Sequence, residues 1–86
     1  MASYEVVWKS SARKETRKLP TNTLERILRA VGELASDPRP PGVRKLRGAD
    51  RTYRLRVGDH RVIYSIYDTR LVIEVIRVAH RREAYR

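Results

Sequence analysis

Residues 45–67, KLRGADRTYRLRVGDHRVIYSIY, constrain this chain more than any other stretch. Lys45, Arg47, Arg51, Arg54, Arg56 and Arg61 stand against only Asp50 and Asp59, and the arginines alternate with Tyr53, Leu55, Val57, Val62, Ile63 and Tyr64. Alternation of apolar and charged residues describes a strand with one face in a core and the other in water. The wet face carries guanidiniums, which stay charged near neutral pH. A rigid row of permanent cations suits a polyanion, and this stretch reads as the floor of an RNA-binding site.

The charge balance agrees. Lys and Arg number 20 and Asp and Glu 10, a net charge of +10 over 86 residues. Residues 1–43 hold 8 basic and 5 acidic side chains, net +3, and residues 44–86 hold 12 and 5, net +7. An excess of one sign speeds encounter with nucleic acid, and its placement assigns the partner-facing role to the C-terminal half. The same excess also suits a solvated basic surface or an acidic protein partner.

Other classes drop out. A chain this short is expected to form one domain, residues 1–86, with a thin core. It has no cysteine, hence no thiol nucleophile, thiolate metal site or disulfide. No apolar run approaches ~20 residues, so no membrane span and no membrane partner is expected. The first residues lack an apolar signal core, and the expected location is cytoplasmic. His60 and His80 show no metal-ligand spacing, the four glycines form no phosphate loop, and neither metal nor cofactor is expected.

The rest of the chain supplies a scaffold. YEVVWK (4–9) reads as a first strand. Ser10 and Ser11 are candidate caps for a short helix, with Ala12, Thr16 and Leu19 inward, that Pro20 stops. A second helix starts at Thr21-Asn22, where Asn22 and Glu25 resemble a capping box. Leu24, Ile27, Leu28, Val31 and Leu34 form its apolar stripe. Each aliphatic side chain fully buried contributes on the order of 1.5–3 kcal/mol. DPRPPGVR (37–44) reads as a stiff surface loop. Strands follow at 52–57, 60–67 and 71–79, joined by tight turns at Gly58-Asp59 and Asp68-Thr69-Arg70. The last is so rich in β-branched residues that it reads as covered on both faces. The expected fold is α+β, β-α-α-β-β-β, an antiparallel-dominated four-stranded sheet with both helices on one face and the other face free to bind.

On that free face Arg54 and Arg56, two apart, point the same way, and Arg61 reaches them across a tight turn. Arg81, Arg82 and Tyr85 follow the last strand. Several guanidiniums on one phosphodiester stabilise the extra charge of a five-coordinate phosphorane. A tyrosine stacks on a base, worth roughly 1–3 kcal/mol. RNA brings its own nucleophile, the 2′-hydroxyl, so positioning alone can promote its cleavage.

The segments Lys45-Leu46-Arg47-Gly48, Tyr53-Arg54-Leu55-Arg56, Gly58-Asp59-His60-Arg61-Val62-Ile63-Tyr64 and Val78-Ala79-His80-Arg81-Arg82-Glu83-Ala84-Tyr85 together resemble the RelE family of bacterial and archaeal toxins, within the RelE/ParE superfamily. The resemblance implies a RelE-like fold and the toxin of a type II toxin–antitoxin pair: a metal-independent endoribonuclease, or mRNA interferase. Such a toxin cuts mRNA in the ribosomal A site by 2′-hydroxyl attack and so inhibits translation. It implies an acidic, RelB-like antitoxin, the ribosome and mRNA as partners, and operator DNA reached only through the antitoxin complex. By position, Arg54 and Arg56 match the basic pair of the catalytic strand and Arg61 the phosphate-stabilising arginine. Arg81 or Arg82 matches the leaving-group acid, and Tyr85 the stacking tyrosine. Lys45, Arg47 and Arg51 are assigned to RNA binding.

Two departures matter. Arg56 stands where the family often has lysine, and arginine, with a pKa above ~12, is a poor base. His80 is the natural alternative proton carrier. His60 stands in the family's usual tyrosine position. The competing expectations are a ParE-like, non-nuclease inhibitor of DNA gyrase and a basic nucleic-acid-binding module without chemistry. Arg61, the tail arginines and Tyr85 favour the nuclease.

Overall fold

A computed structural model describes residues 3–80. The elements are β1 (Glu5–Trp8), α1 (Ser10–Thr16), α2 (Thr21–Leu34), β2 (Arg44–Lys45), β3 (Thr52–Val57), β4 (His60–Tyr67) and β5 (Val72–His80). They form one five-stranded sheet in the order β1-β5-β4-β3-β2, antiparallel except where β1 runs parallel to β5. The fold is the expected α+β arrangement with one strand more. That strand, β2, is only two residues long and closes the loop read as a linker, with Arg44 opposite Arg54 and Lys45 opposite Tyr53. Two residues carry no periodicity, and only the neighbouring strand reveals them.

The core lies between helices and sheet. Ala12, Ile27, Val31 and Leu34 meet Val62, Tyr64, Ile66, Ile73, Val75 and Val78, with Val6, Trp8 and Leu19 packed at its margin. The α2 stripe is narrower than expected: Ile27, Val31 and Leu34 are buried, whereas Leu28 is 48% exposed. Neither helix is capped as the sequence suggested. Lys9 and Pro20 hold the N-cap positions without side-chain caps. Asn22 Oδ1 accepts from the next residue, the Thr23 N–H.

The Ser11 hydroxyl is spent on the sheet. β1 pairs with β5 only as far as Trp8 opposite Val75. Beyond that point α1 covers the β5 edge: Ser11 Oγ donates to the Ile76 carbonyl at 2.9 Å, and Glu15 Oε1 accepts the Val78 N–H at 2.8 Å. Glu15 Oε2 also takes Arg77 Nε at 3.4 Å. An edge that would otherwise offer unpaired backbone groups is thereby closed.

β5 explains its own composition differently from the sequence reading. Ile63 pairs with Arg77 but Tyr64 pairs with Val75, so Ile76 is an extra residue in the ladder. A bulge shifts the face on which side chains emerge. Val75 and Val78, three apart, therefore both enter the core, as strict alternation would forbid. The nearly continuous apolar run reflects this change of phase more than burial on two faces.

Candidate nucleic-acid interface

Parity places the cations. In β4 Val62, Tyr64 and Ile66 are core residues, so Arg61, Ile63, Ser65 and Tyr67 emerge on the helix-free face. Arg61 is the cross-strand partner of Arg56, and Arg54 that of Arg44. The result is a cleft of about 390 Å³ lined by Gly42, Arg44, Arg54, Arg56 and Arg61. None of these five is acidic. Arg61, at 7% exposure, is the buried member, and its Nη1 lies 3.4 Å from the His60 carbonyl oxygen. Burying a guanidinium in a cationic cleft is unfavourable unless hydrogen bonds or an anion compensate it. The arrangement can hold a phosphodiester and spread the developing charge of its transition state over several donors.

Sequence reasoning brought Arg54, Arg56 and Arg61 to this place and missed two neighbours. Arg44 and Gly42 belonged to the loop in that reading. The only signal was the pairing of Arg44 with Arg54, which a chain without visible β2 does not display. Gly42 adopts φ +91° at the cleft wall, a conformation glycine reaches without strain.

The structure does not bring His80 into the cleft. It pairs with His60, ring centroids 5.5 Å apart and nearly perpendicular. Both lie in phase with Val62 and Val78 on the helix-facing side, at its rim. Lys45, the last residue of β2, and Arg47, in the β2–β3 loop, lie outside the cleft. Arg51 is farther along, its guanidinium 5.2 Å from the Tyr67 ring. Arg81, Arg82 and Tyr85 lie outside the described residues.

A second polar cluster holds the loop that shapes the cleft wall. Arg39 grips both carboxylate oxygens of Asp68, at 2.8 and 3.3 Å, and its Nε donates to the Tyr53 hydroxyl at 3.1 Å. The Tyr4 hydroxyl donates to Asp68 at 2.7 Å, and buried Tyr64 donates to the Pro38 carbonyl at 2.7 Å. The Arg39 and Tyr4 hydrogen bonds hold the Asp68 carboxyl below the usual carboxylate range. Burial pushes the Tyr64 hydroxyl above its ordinary value.

With this geometry in place, comparison with known proteins is direct. The archaeal RelE of the RelE–RelB complex from Pyrococcus horikoshii OT3 superposes with a TM-score of 0.83 at 32% identity, over 92% of this chain and 96% of that one. The RelBE toxin–antitoxin complex of Escherichia coli gives 0.79 at 31% identity, over 91% and 96%. Helices on one face and a cationic sheet on the other thus place the molecule in the class of type II toxins. In sequence, Toxin RelG of Mycobacterium tuberculosis is 32% identical over 84 residues, 96% of this chain and 97% of the relative. The mRNA interferase toxin RelE of E. coli K12 is 31% identical over 95% and 87%. A family model described as ParE toxin of type II toxin-antitoxin system, parDE, matches residues 6–85. The chain belongs to this RelE/ParE family of toxins and is RelE-like.

Proposed function

We propose that the chain is one toxin domain that cuts mRNA on the ribosome and so stops translation. The reading rests on the cleft: four arginines on one sheet face, with no acid among the described lining residues. The mRNA interferase name of its E. coli relative supports it. The RNA 2′-oxygen attacks the adjacent phosphorus, the bond to the 5′-oxygen breaks, and the products are a 2′,3′-cyclic phosphate and a 5′-hydroxyl. Arg61, Arg54, Arg56 and Arg44 carry the charge of the phosphorane. A guanidinium cannot be a base, so these residues act electrostatically and water accepts the 2′ proton. By the family resemblance Arg81 or Arg82 is assigned to the leaving 5′-oxygen, which takes up a proton from water, and Tyr85 to stacking on the substrate base. His80 faces away and has no direct proton role. Lys45, Arg47 and Arg51 contact RNA outside the cleft.

The toxin works in the cytoplasm. An acidic, RelB-like antitoxin inhibits it, as the RelE–RelB complexes of its structural relatives suggest, and carries it to operator DNA. Among the described residues no helix is long and apolar enough to cross a membrane. Primer extension on translating ribosomes tests the activity. Cuts within codons, lost in Arg61→Ala and strongly reduced in Tyr85→Ala, are expected. The ParE description of the matching family favours one other reading, a gyrase inhibitor. Intact mRNA with gyrase-linked DNA breaks would establish that reading instead.

A further inference from the structure

We propose that Arg51, Tyr67 and Arg70 form a second contact for the RNA backbone, at the opposite end of the open sheet face from the cleft. The inference rests on the RNA-cutting reading and extends it from one phosphate to a strand.

Tyr67 emerges on the same face as Arg61, six residues along β4, or about 20 Å at ~3.3 Å per residue. Arg51 precedes β3, and its carbonyl accepts the Ile66 N–H at 2.9 Å, which fixes it beside the end of β4. Arg70 lies in the β4–β5 turn. Both guanidiniums converge on the Tyr67 ring, Arg51 at 5.2 Å and Arg70 at 4.5 Å from its centroid. Stacking on an aromatic ring uses the ring's π face and leaves the in-plane N–H donors available.

Among the described residues those donors have no carboxylate partner, the ion pairs being Arg39–Asp68 and Arg77–Glu15. Asp68, the nearest acid to Arg70 in sequence, is already held by Arg39 and Tyr4. Asp50 and Asp68 rim the shallow cleft beside Tyr67; with Arg39 paired to Asp68, three arginines face these two carboxylates, one positive charge in excess. Two like charges drawn to one ring repel each other, and a bound phosphate removes that cost. Between this platform and the arginine cleft lie Thr52 and Ser65, whose hydroxyls are 3.0 Å apart. This gives a polar path along β3 and β4 with cations at both ends, bordered on the β5 side by Glu74, the cross-strand partner of Ser65. Its length suits a single strand of roughly four or more nucleotides.

The test measures binding of two non-cleavable, 2′-O-methylated RNAs to the purified chain by fluorescence anisotropy across a salt series. One RNA spans both clusters and the other is a trinucleotide. Arg70→Gln is expected to weaken the longer RNA roughly three- to ten-fold and lower its salt slope by about 0.7, with Arg70→Glu weakening it further. The trinucleotide is expected to bind all three proteins alike. Tyr67→Phe, which keeps the ring, should match the parent. Equal affinity and slope for parent and Arg70→Glu on the longer RNA overturn the proposal. So does an equal loss on the trinucleotide, which would reflect net charge alone. Displacement of the longer RNA from this end by millimolar inorganic phosphate would reassign the cluster as a small-anion site. If the parent cuts mRNA but the Arg70 variants bind like it, only this inference falls. If the parent neither binds nor cuts RNA, the proposed function falls with it.

Discussion

Two arginine clusters in this molecule use the same side chain in opposite ways. At the corner formed by Tyr4, Arg39, Tyr53 and Asp68, the guanidinium meets a carboxylate through two hydrogen bonds, a hydroxyl through a third, and lies 5.3 Å from the Tyr53 ring centroid. In the cleft, Arg44, Arg54, Arg56 and Arg61 line one surface, with no acid among the described lining residues. The first arrangement is complete within the chain and holds a loop in place. The second gathers like charge, which is unfavourable unless an anion arrives. An arginine locked to a carboxylate within the chain thus holds a loop, whereas the described lining of the cleft gathers arginines on one face.

The sharpest way to break this contrast is to remove a cation from each cluster. Arg61→Ala is expected to cut ribosome-dependent cleavage by at least about 100-fold, the scale on which a single transition-state donor is felt, as read by primer extension. Near-normal cleavage would deny the cleft its role. Arg56→Lys is expected to stay within about ten-fold of the parent, since the site asks for charge at that position. Single-turnover cutting measures it, and a rise in rate that follows lysine ionisation would show that a base had been missing.

Arg39→Ala should do the reverse of Arg61→Ala, lowering the melting temperature by a few degrees while reducing cleavage far less. Thermal unfolding beside the same cleavage assay separates the two. The corner also has a pH signature. The folded Asp68 carboxyl sits below its ordinary range because Arg39 and Tyr4 hydrogen-bond its charged form. Its contribution is therefore fully present above the ordinary carboxylate range and is lost as pH falls through the depressed value. Asp68→Asn is expected to flatten this part of the acid-side stability profile, and an unchanged profile would place the acid sensitivity elsewhere. The smallest effects are expected at the histidines: His60→Gln and His80→Gln should each change cleavage only slightly and alike. A selective loss in His80→Gln would return that residue to the mechanism despite the face it occupies.

Much of the fold was legible. The α2 stripe, Pro20, and the turns at Gly58-Asp59 and Asp68-Thr69-Arg70 act through local sterics and periodicity, and β3 and β4 span the expected residues. β5 starts one residue late because Leu71 takes φ +53° in the turn, a conformation no propensity scale assigns to leucine. The capping serines were misread because the helix begins one residue earlier than a serine cap requires: Lys9 holds the N-cap position, and Ser10 and Ser11 lie in the first turn. In the site, Arg54 and Arg56 share a face by parity alone. Arg44 needed a strand pairing, and so did the placement of His80 opposite His60.

By itself the sequence determined alternation, charge and stopping points, because these depend on residues a few positions apart. It thereby settled that one face of the sheet would be cationic. Only the tertiary structure decided which cations meet. Arg44 reaches Arg54 through a two-residue strand, Glu15 closes an edge 63 positions away at Val78, and Ile76 resets the phase of β5. Register and edge closure are set by contacts between distant segments, and the energy that selects them appears only when the whole sheet is assembled.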